Sequence, residues 1–329
     1  MIEAARAEGV LNLVWSESSV GGSEGARRLV EGMNKLHGLD VKLQFTPGPP
    51  MAEIGAKIVQ EHQAGRPATS DIFLGSDQYQ AALIEAGALE AVDWTSWAPN
   101  IRDSRLLAPG SMAVEIDTRV PGIAYNSDRL QGNAVPTSLE DVLKPQYKGC
   151  VASTPYAASF DQLASPELWG EDRTIAYVTK LADQIAGLIR CGELERLLSG
   201  EFDMMVLACG HYDALRVKAR GAPIGYVVPA DAALKYHMYM AVPQNAAHPN
   251  AAKLFIDYLL SRAGQDIYYE FEFVDHDLVP GSKTAQDLQT LQPRGSQFSD
   301  IDVALIQRSQ VPEMNRVRRE LQRLLQSKQ

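Results

Sequence analysis

Residues 204–215, which read MMVLACGHYDAL, indicate the fold most clearly. Met204 to Ala208 form an apolar run that a strand can bury on both faces, as in a parallel sheet. Gly210 interrupts this run, and the residues His-Tyr-Asp at 211–213 follow where the strand gives way to a helix. In open α/β sheets, ligands bind just outside the carboxyl ends of the strands. This stretch therefore predicts a turn that contributes to a ligand site.

The chain before this stretch alternates strands with helices. The predicted strands are 10–15, 40–46 and 71–75, and the predicted helices are 24–36, 51–63 and 78–86. This β-α-β-α-β order with short crossovers predicts a doubly wound parallel sheet. The small-residue loop 16–23 matches neither the P-loop nor the GxGxxG pattern, so it predicts no specific nucleotide site. The helix start behind the loop still offers free N–H groups to an anionic or polar ligand.

The composition excludes two classes of function. The net charge is -10, and no basic stripe is present to neutralise phosphates, which argues against a nucleic-acid binder. The basic cluster near the end is interpreted as the solvated face of an amphipathic helix; it consists of Arg316, Arg318, Arg319 and Arg323. No apolar run reaches membrane-spanning length. Residues 1–6 lack the pattern of a signal peptide, which leaves two interpretations open: a cytoplasmic start, or a signal trimmed before an added Met1.

The cysteines are Cys150, Cys191 and Cys209. None forms a CxxC pair, so the sequence gives little support to a zinc or thioredoxin-type site. Because the count is odd, at most one internal disulfide can form. Cys209 lies in an apolar run and is predicted to be a buried, inert thiol.

Several segments, in their order along the chain, resemble the bacterial extracellular solute-binding proteins of the type II periplasmic binding fold. The group that matches contains the ferric-ion binding proteins and relatives that bind small organic ligands. The segments are 61–73 (EHQAGRPATSDIF), 84–89 (IEAGAL), 121–126 (PGIAYN), 136–143 (PTSLEDVL), 221–229 (GAPIGYVVP) and 250–260 (NAAKLFIDYLL). The resemblance covers most of the chain from about Val10 to Leu260, and the order of the segments carries it rather than any single one.

The resemblance implies two doubly wound α/β lobes joined by crossover strands, with a ligand enclosed between them by hinge closure. Lobe 1 is predicted to comprise 1–116 plus 238–290, and lobe 2 to comprise 117–237 plus 291–329. The implied role is the solute-binding component of an ABC uptake system beside a membrane permease. The protein is then expected to be a monomer that binds a small molecule, needs no cofactor, and resides in the periplasm or anchored at the cell surface after removal of a signal peptide.

By position in the resembled fold, strand ends from both lobes supply the ligand-binding residues. From lobe 1 these are Trp15, Ser16, Glu17, Ser18, Ser19, Ser76 and Asp77; from lobe 2 they are Thr154, Tyr156, Ala157, Ser159, His211, Tyr212 and Tyr226. Simpler interpretations stay open for several of them. Trp15 can stack on a ligand or pack under the first helix, and the hydroxyls of 154–159 can cap a helix. His211 can donate to a ligand, respond to pH or cap a helix, while Asp213 is predicted to complement the helix dipole.

The chain departs from the ferric-ion binders at the stretch first quoted. Those proteins hold iron with two adjacent tyrosines, whereas this chain carries His211-Tyr212. The predicted ligand is a small polar organic molecule, zwitterionic or anionic, such as an amino-phosphonate or amino-acid-like molecule, because aromatics and hydroxyls favour an organic ligand. The alternative is ferric iron held by His211, Tyr212 and Glu17. An enzyme on the same fold is disfavoured because neither GxSxG nor HExxH is present. A thiol–imidazole pair of Cys209 and His211 is the remaining arrangement for catalysis.

Overall fold

The structure is a computed structural model that describes residues 1–157, 159–308 and 311–327. The strands are β1 (Val10–Trp15), β2 (Lys42–Pro47), β3 (Phe73–Ser76), β4 (Val114–Glu115), β5 (Gly122–Asn126), β6 (Val151–Ser153), β7 (Ile185–Leu188), β8 (Met204–Ala208), β9 (Ile224–Val227), β10 (Leu234–Tyr236), β11 (Met238–Ala241) and β12 (Ser299–Ile301). The helices are α1 (Ile2–Glu8), α2 (Gly22–His37), α3 (Met51–Gln63), α4 (Asp77–Glu85), α5 (Trp94–Trp97), α6 (Leu139–Val142), α7 (Phe160–Leu163), α8 (Glu171–Ala182), α9 (Glu195–Leu198), α10 (His211–Lys218), α11 (Pro249–Leu259), α12 (Arg262–Glu272), α13 (Lys283–Leu291), α14 (Val303–Arg308) and α15 (Val311–Gln326).

The chain divides into two compact units, each built from separate parts of the sequence. Unit 1 comprises Met1–Thr118, His237–Gln286 and Asp302–Ala304, and unit 2 comprises Arg119–Tyr236, Asp287–Ile301 and Leu305–Gln329. The predicted boundaries between the lobes, at 116/117, 237/238 and 290/291, lie close to these divisions. The short return of the chain to unit 1 at 302–304 is not part of the prediction. Positions 158, 309, 310, 328 and 329 of predicted lobe 2 lie outside the described residues.

Unit 1 contains a parallel pair and a three-stranded antiparallel sheet. β1 pairs with β2 in parallel, as the predicted crossover requires. β3 instead pairs antiparallel with β11, which also pairs antiparallel with β4, so that β11 is the middle strand of the order β3-β11-β4. The expectation that β3 continues a purely parallel sheet is therefore wrong. A short apolar run shows that a strand is buried but does not reveal the direction of its partner.

Unit 2 is built on a five-stranded mixed sheet with the order β7-β6-β8-β5-β9. β8 lies in the centre, parallel to β6 and antiparallel to β5, and all five of its residues are buried. This confirms the buried strand predicted from the apolar run, and α10 begins at His211 as expected. A second, two-stranded parallel sheet joins β10 to β12.

Helix α15 is amphipathic, as predicted for the end of the chain. Val317, Leu321 and Leu325 are buried along one side. The arginines of this helix form ion pairs near the surface, for example Arg316 with Glu171 and Arg323 with Glu320. None of the helices in the described part of the chain combines the length and apolar composition that crossing a membrane requires.

Candidate functional site

The turn between β8 and α10 is shaped by a glycine. Gly210 has extended backbone angles (φ -179°, ψ 160°), so the chain conformation itself does not require glycine there. The limited space at this position does require glycine, because a Cβ atom there would lie 2.1 Å from Cε1 of Tyr212. The absence of a side chain at Gly210 therefore lets the ring of Tyr212 approach the backbone closely at the end of the strand.

Tyr212 is held by Arg119. The tyrosine is 8% exposed, and Nη1 of Arg119 donates a hydrogen bond to its phenol oxygen at 3.1 Å. The guanidinium also lies over the aromatic ring, 4.8 Å from the centroid, which is within the range of a cation–π contact. Arg119 is half-buried and is the first residue of unit 2. The site at Tyr212 therefore carries a positive charge that the sequence analysis did not include.

His211 is fully enclosed within unit 2. Its side chain is 0% exposed, and Nε2 lies 4.0 Å from Oδ2 of Asp287. The ring meets Tyr212 edge to face with 6.3 Å between the centroids. Gly210, rather than His211, occupies the N-cap position of α10. The imidazole thus packs within the wall of unit 2 behind Tyr212.

A carboxylate and a guanidinium flank the first turn of α10. Asp213 is buried, and Nη2 of Arg216 donates to its Oδ1 at 2.9 Å. Burial raises the pKa of Asp213 above its usual value, against the opposing effects of Arg216, Arg119 and the N–H of Gly192. The prediction that this acid belongs to the first turn of a helix is confirmed.

A disulfide bond joins Cys191 to Cys209 across 18 positions of sequence. The prediction that Cys209 is an inert thiol is therefore wrong; its burial reflects a covalent bond to the loop that follows β7. A Cys209–His211 catalytic pair is excluded for the same reason, because a sulfur in a disulfide is not a thiolate. Cys150 remains a free, half-buried thiol. Gly192, which directly follows Cys191, donates its N–H to Asp213, so the bond also fixes a neighbour of the site.

Two further tyrosines of unit 2 donate their phenol protons to backbone carbonyls. Tyr226 donates to the carbonyl of Val120 at 2.6 Å, and Tyr236 donates to the carbonyl of Cys209. Burial raises the pKa of Tyr226 well above its usual value, with Tyr236 and Tyr212 contributing in the same direction. Tyr226 therefore keeps its proton and is poorly suited to bind a metal as a phenolate.

Tyr226 also lines a pocket of about 420 Å³ in unit 2. The rest of its lining is mostly apolar, with hydroxyls from Thr137 and Thr290 and a guanidinium from Arg294. A volume of this size is typical of small-molecule sites, which pair apolar walls with a few polar groups.

Most side chains of the segment after β6 are buried. Thr154 and Ala157 are buried, and the hydroxyl of Thr154 donates to the carbonyl of Tyr156. Tyr156 is 39% exposed. Ser159 occupies the N-cap position of α7 with a left-handed backbone (φ 65°), but its side chain makes no capping hydrogen bond. Tyr156 is thus the residue of this predicted group whose side chain a solute can reach most easily.

In unit 1, the predicted residues fall into a core residue and a polar loop. Trp15 is 2% exposed, its Nε1 donates to the carbonyl of Ile72, and its ring packs near Phe255. Trp15 is thus a core residue of unit 1 that packs beside α11, and a role in ligand binding stays a prediction. In the loop, Ser16 and Ser18 hydrogen-bond each other, with 2.9 Å between their hydroxyl oxygens.

Glu17 and Asp77 both lie at helix starts. Glu17 is exposed, and its carboxylate accepts hydrogen bonds from the N–H and the hydroxyl of Ser23 in the first turn of α2. This is the favourable placement of an acid at a helix N-terminus. Asp77 is buried in the first turn of α4, and Ser76 occupies the N-cap position there. Ser19 is half-buried in the same loop as Glu17.

A family profile described as "Bacterial extracellular solute-binding protein" matches residues 68–307. The chain belongs to this family. The chain is 29% identical over 155 residues to the "Fe(3+)-binding periplasmic protein" of Serratia marcescens. That match covers 45% of this chain and 43% of the relative. The match thus spans less than half the length of the relative.

Solved structures share the fold over nearly the whole solute-binding protein. The iron-bound HitA of Pseudomonas aeruginosa is 16% identical with a TM-score of 0.72, and the match covers 95% of this chain and 99% of that one. AfuA of Actinobacillus pleuropneumoniae, solved with fructose-6-phosphate bound, is 21% identical with a TM-score of 0.71, covering 94% and 96% of the chains. The predicted α/β fold of the type II periplasmic class is confirmed.

Sequence reasoning missed the charged residues around Tyr212 in this solute-binding protein. Arg119 lies 93 positions before Tyr212, and Asp287 lies 76 positions after His211. Arg216 was close enough in sequence to be noticed, because it lies one helical turn after Asp213. No local pattern marks Arg119, which precedes β5 and whose backbone forms an antiparallel bridge with Tyr236.

Proposed function

We propose that this protein is the solute-binding component of an ABC uptake system and captures a small organic ligand that is anionic or zwitterionic. Family membership supports solute binding. The observation that supports an anionic group is Arg119, whose guanidinium donates to the phenol of Tyr212 at 3.1 Å. A cation fixed beside this tyrosine attracts phosphonate, phosphate or carboxylate groups and repels a bare metal cation.

The remaining charges of the turn favour a zwitterion. Arg216 and Asp213 form an ion pair in the first turn of α10, so both signs of charge lie close to Tyr212. An amino-phosphonate or amino-acid-like molecule carries both complementary groups. We propose that Tyr212, Arg119 and the exposed Tyr156 are the contacts supplied by unit 2. The loop 16–19 and Ser76 stay the predicted ligand-binding residues of unit 1. Of the residues predicted from the sequence, Trp15, Ala157 and Thr154 then support the site from the core.

The second candidate function is ferric-ion binding. It is favoured by the similarity to the Fe(3+)-binding periplasmic protein of Serratia marcescens and to iron-bound HitA. Tyr212 and His211 are the donors that unit 2 would supply, and Glu17 is the donor from unit 1. Against it stand the positive charge of Arg119 at Tyr212 and the enclosure of His211.

Isothermal titration calorimetry on the purified chain tests the two candidates. The panel comprises ferric citrate, 2-aminoethylphosphonate, glutamate, glucose-6-phosphate and citrate. We expect saturable binding of at least one organic anion or zwitterion, and weaker binding of that compound by Arg119→Met. Tight binding of ferric ion alone, abolished by Tyr212→Phe, would instead establish the iron function.

The proposed setting is the periplasm or the cell surface, with an ABC permease as partner and the monomer as the working form. The Cys191–Cys209 disulfide supports this setting, because such bonds persist in oxidising compartments and are rare in the cytosol. Cell fractionation of the native host, followed by thiol labelling, tests it. A fully reduced, cytosolic protein would contradict the proposal.

A further inference from the structure

A second cluster of ligand-type side chains lies inside unit 1. Glu115, His237 and His276 each place one nitrogen or oxygen donor so that the three atoms lie within 4.8 Å of one another. All three residues are buried. None of them belongs to the residues discussed above as contacts for a solute.

Three separate segments bring these side chains together. Glu115 is the last residue of β4, and His237 directly precedes β11. The antiparallel register places Tyr239 of β11 opposite Glu115, which fixes the positions of both segments. His276 comes from the loop after α12, where its backbone N–H donates to Oε1 of the buried Gln265 at 2.7 Å. The cluster is thus built on paired strands and an anchored loop.

The distances within the cluster suit a shared cation. Nε2 of His276 lies 3.2 Å from Oε2 of Glu115, and Nδ1 of His237 lies 3.6 Å from the same oxygen. Around a tetrahedral metal with bonds of about 2.0–2.1 Å, neighbouring ligand atoms are separated by roughly 3.3–3.4 Å. The two measured separations lie on either side of that value.

Further groups support the three donors from behind. The hydroxyl of Tyr239 donates to Oε1 of Glu115 at 2.9 Å. Nδ1 of His276 accepts a hydrogen bond from the backbone N–H of Leu278 at 3.1 Å. Hydrogen bonds of this kind to the group behind a metal ligand fix the orientation of the ligand. The carbonyl oxygen of Asp117 accepts a hydrogen bond from Nδ1 of His237 at 2.9 Å, so this nitrogen carries a proton that an ion would replace.

The donor types point in the same direction. Two imidazoles with one carboxylate form the donor set that Zn²⁺ and similar divalent ions prefer.

We propose that Glu115, His237 and His276 form a buried binding site for one divalent transition-metal ion of the Zn²⁺ class in unit 1. The ion takes the place of the protons on the coordinating histidine nitrogens, which pass to solvent as it binds. It joins β4, the start of β11 and the 274–282 loop, so that it stabilises unit 1 and takes no part in contacting the solute.

The test uses the full chain after treatment with a chelator, titrated with Co²⁺ and followed by visible absorption. We expect one Co²⁺ per chain, with the d–d bands of a low-coordinate site that Zn²⁺ then abolishes by displacement. We also expect the thermal midpoint to rise with Zn²⁺ concentration, since a ligand that binds only the folded state stabilises it. A wild-type chain without saturable Co²⁺ binding overturns the proposal, whatever the variants do.

Matched variants locate the ion. Glu115→Gln and His276→Gln should lose the Co²⁺ spectrum, while His62→Gln, a histidine of α3 outside the cluster, should keep it. Tyr212→Phe should also keep it, which separates this site from the candidate iron site in unit 2. Circular dichroism verifies that each variant is folded. Retention of the spectrum in folded Glu115→Gln and His276→Gln, or its loss in Tyr212→Phe, overturns the assignment.

Discussion

The guanidinium of Arg119 lies over the ring of Tyr212, 4.8 Å from its centroid, and donates a hydrogen bond to the phenol oxygen. The arginine is the first residue of unit 2 after the chain leaves unit 1 at Thr118. The residue that holds the central tyrosine of the candidate site therefore begins the crossover segment. Substitution of this arginine addresses the candidate ligand class directly.

Arg119→Met keeps the apolar stem of the side chain but removes its charge and its N–H donors. We expect binding of the best organic anion in the calorimetric panel to weaken by roughly 10- to 100-fold, because a hydrogen bond to a charged group contributes about 1.5–3 kcal/mol. Arg220→Met, in an exposed turn after α10, is the matched control and should bind normally. Equal affinities for the two variants would mean that Arg119 does not act on the ligand.

Gly210→Ala should destabilise the protein by forcing the ring of Tyr212 to move. The new Cβ would lie 2.1 Å from Cε1 of that ring, and such overpacking typically costs about 1–3 kcal/mol. In a Tyr212→Ala background the clash is absent, so the same substitution should cost far less. Urea unfolding of the four proteins in this cycle measures the difference. Equal costs in both backgrounds would show that the glycine is required for another reason.

Removal of the Cys191–Cys209 disulfide should lower stability by about 3 kcal/mol, the loop-entropy value for a closed loop of roughly this length. The measurement is the urea midpoint of Cys191→Ser/Cys209→Ser compared with wild type. Cys150→Ser is the control because that thiol is free, and we expect it to shift stability by less than the double variant. If a reductant leaves the wild-type midpoint unchanged, the bond does not contribute in solution.

Asp141 should contribute stability that depends on pH. Its carboxylate receives Nζ of Lys144 at 2.6 Å and the N–H and hydroxyl of Thr137 at 3.0 Å. The Lys144 hydrogen bond, with those from Thr137 and Ser138, holds the pKa of Asp141 far below its usual value of 3.8. Because the pKa of this carboxyl group is lower in the folded state than in the unfolded state, the carboxylate stabilises the folded protein at pH values above its unfolded-state pKa. This contribution is lost as the pH falls below 3.8 towards the folded-state pKa.

Asp141→Asn should therefore be less stable than wild type at neutral pH, and the difference should shrink on acidification below 3.8. Chemical unfolding at several pH values measures this convergence. Asp128→Asn serves as the comparison, because the hydrogen bond at that site runs from the backbone N–H of Asp128 to Oδ1 of Asn126 and does not involve the carboxylate. A constant difference between wild type and Asp141→Asn across the series would contradict the assigned role.

Local sequence was sufficient to predict the central strand of unit 2. The apolar residues of β8 and the break at Gly210 are contiguous, so both the strand and the start of α10 could be predicted from one short window. The order of the segments that resemble the solute-binding family was sufficient to predict the fold class. The pairing of β3 with β11 was not predictable, because the 165 positions that separate Phe73 from Met238 carry no signal of strand direction.

The chemistry of the site was predicted only in part for the same reason. Tyr212 could be placed from the strand that precedes it, but Arg119 reaches it only through tertiary packing. Trp15 is the last residue of β1, and its side chain packs near Phe255 in the core. Position after a strand indicates the edge of a sheet, while the direction of a side chain depends on partners that are distant in sequence.

The middle position of β11 has a consequence for the biogenesis of the protein. β3 and β4 are synthesised early, but the strand that hydrogen-bonds to both arrives only with Met238–Ala241. Until the ribosome has passed Ala241, both nascent strands present open edges, which are prone to pair with other chains. All residues of the Cys191–Cys209 disulfide and of the five-stranded sheet are made before that point. The sheet that contains β3 and β4 is thus completed only after every strand of the five-stranded sheet of unit 2 has been synthesised.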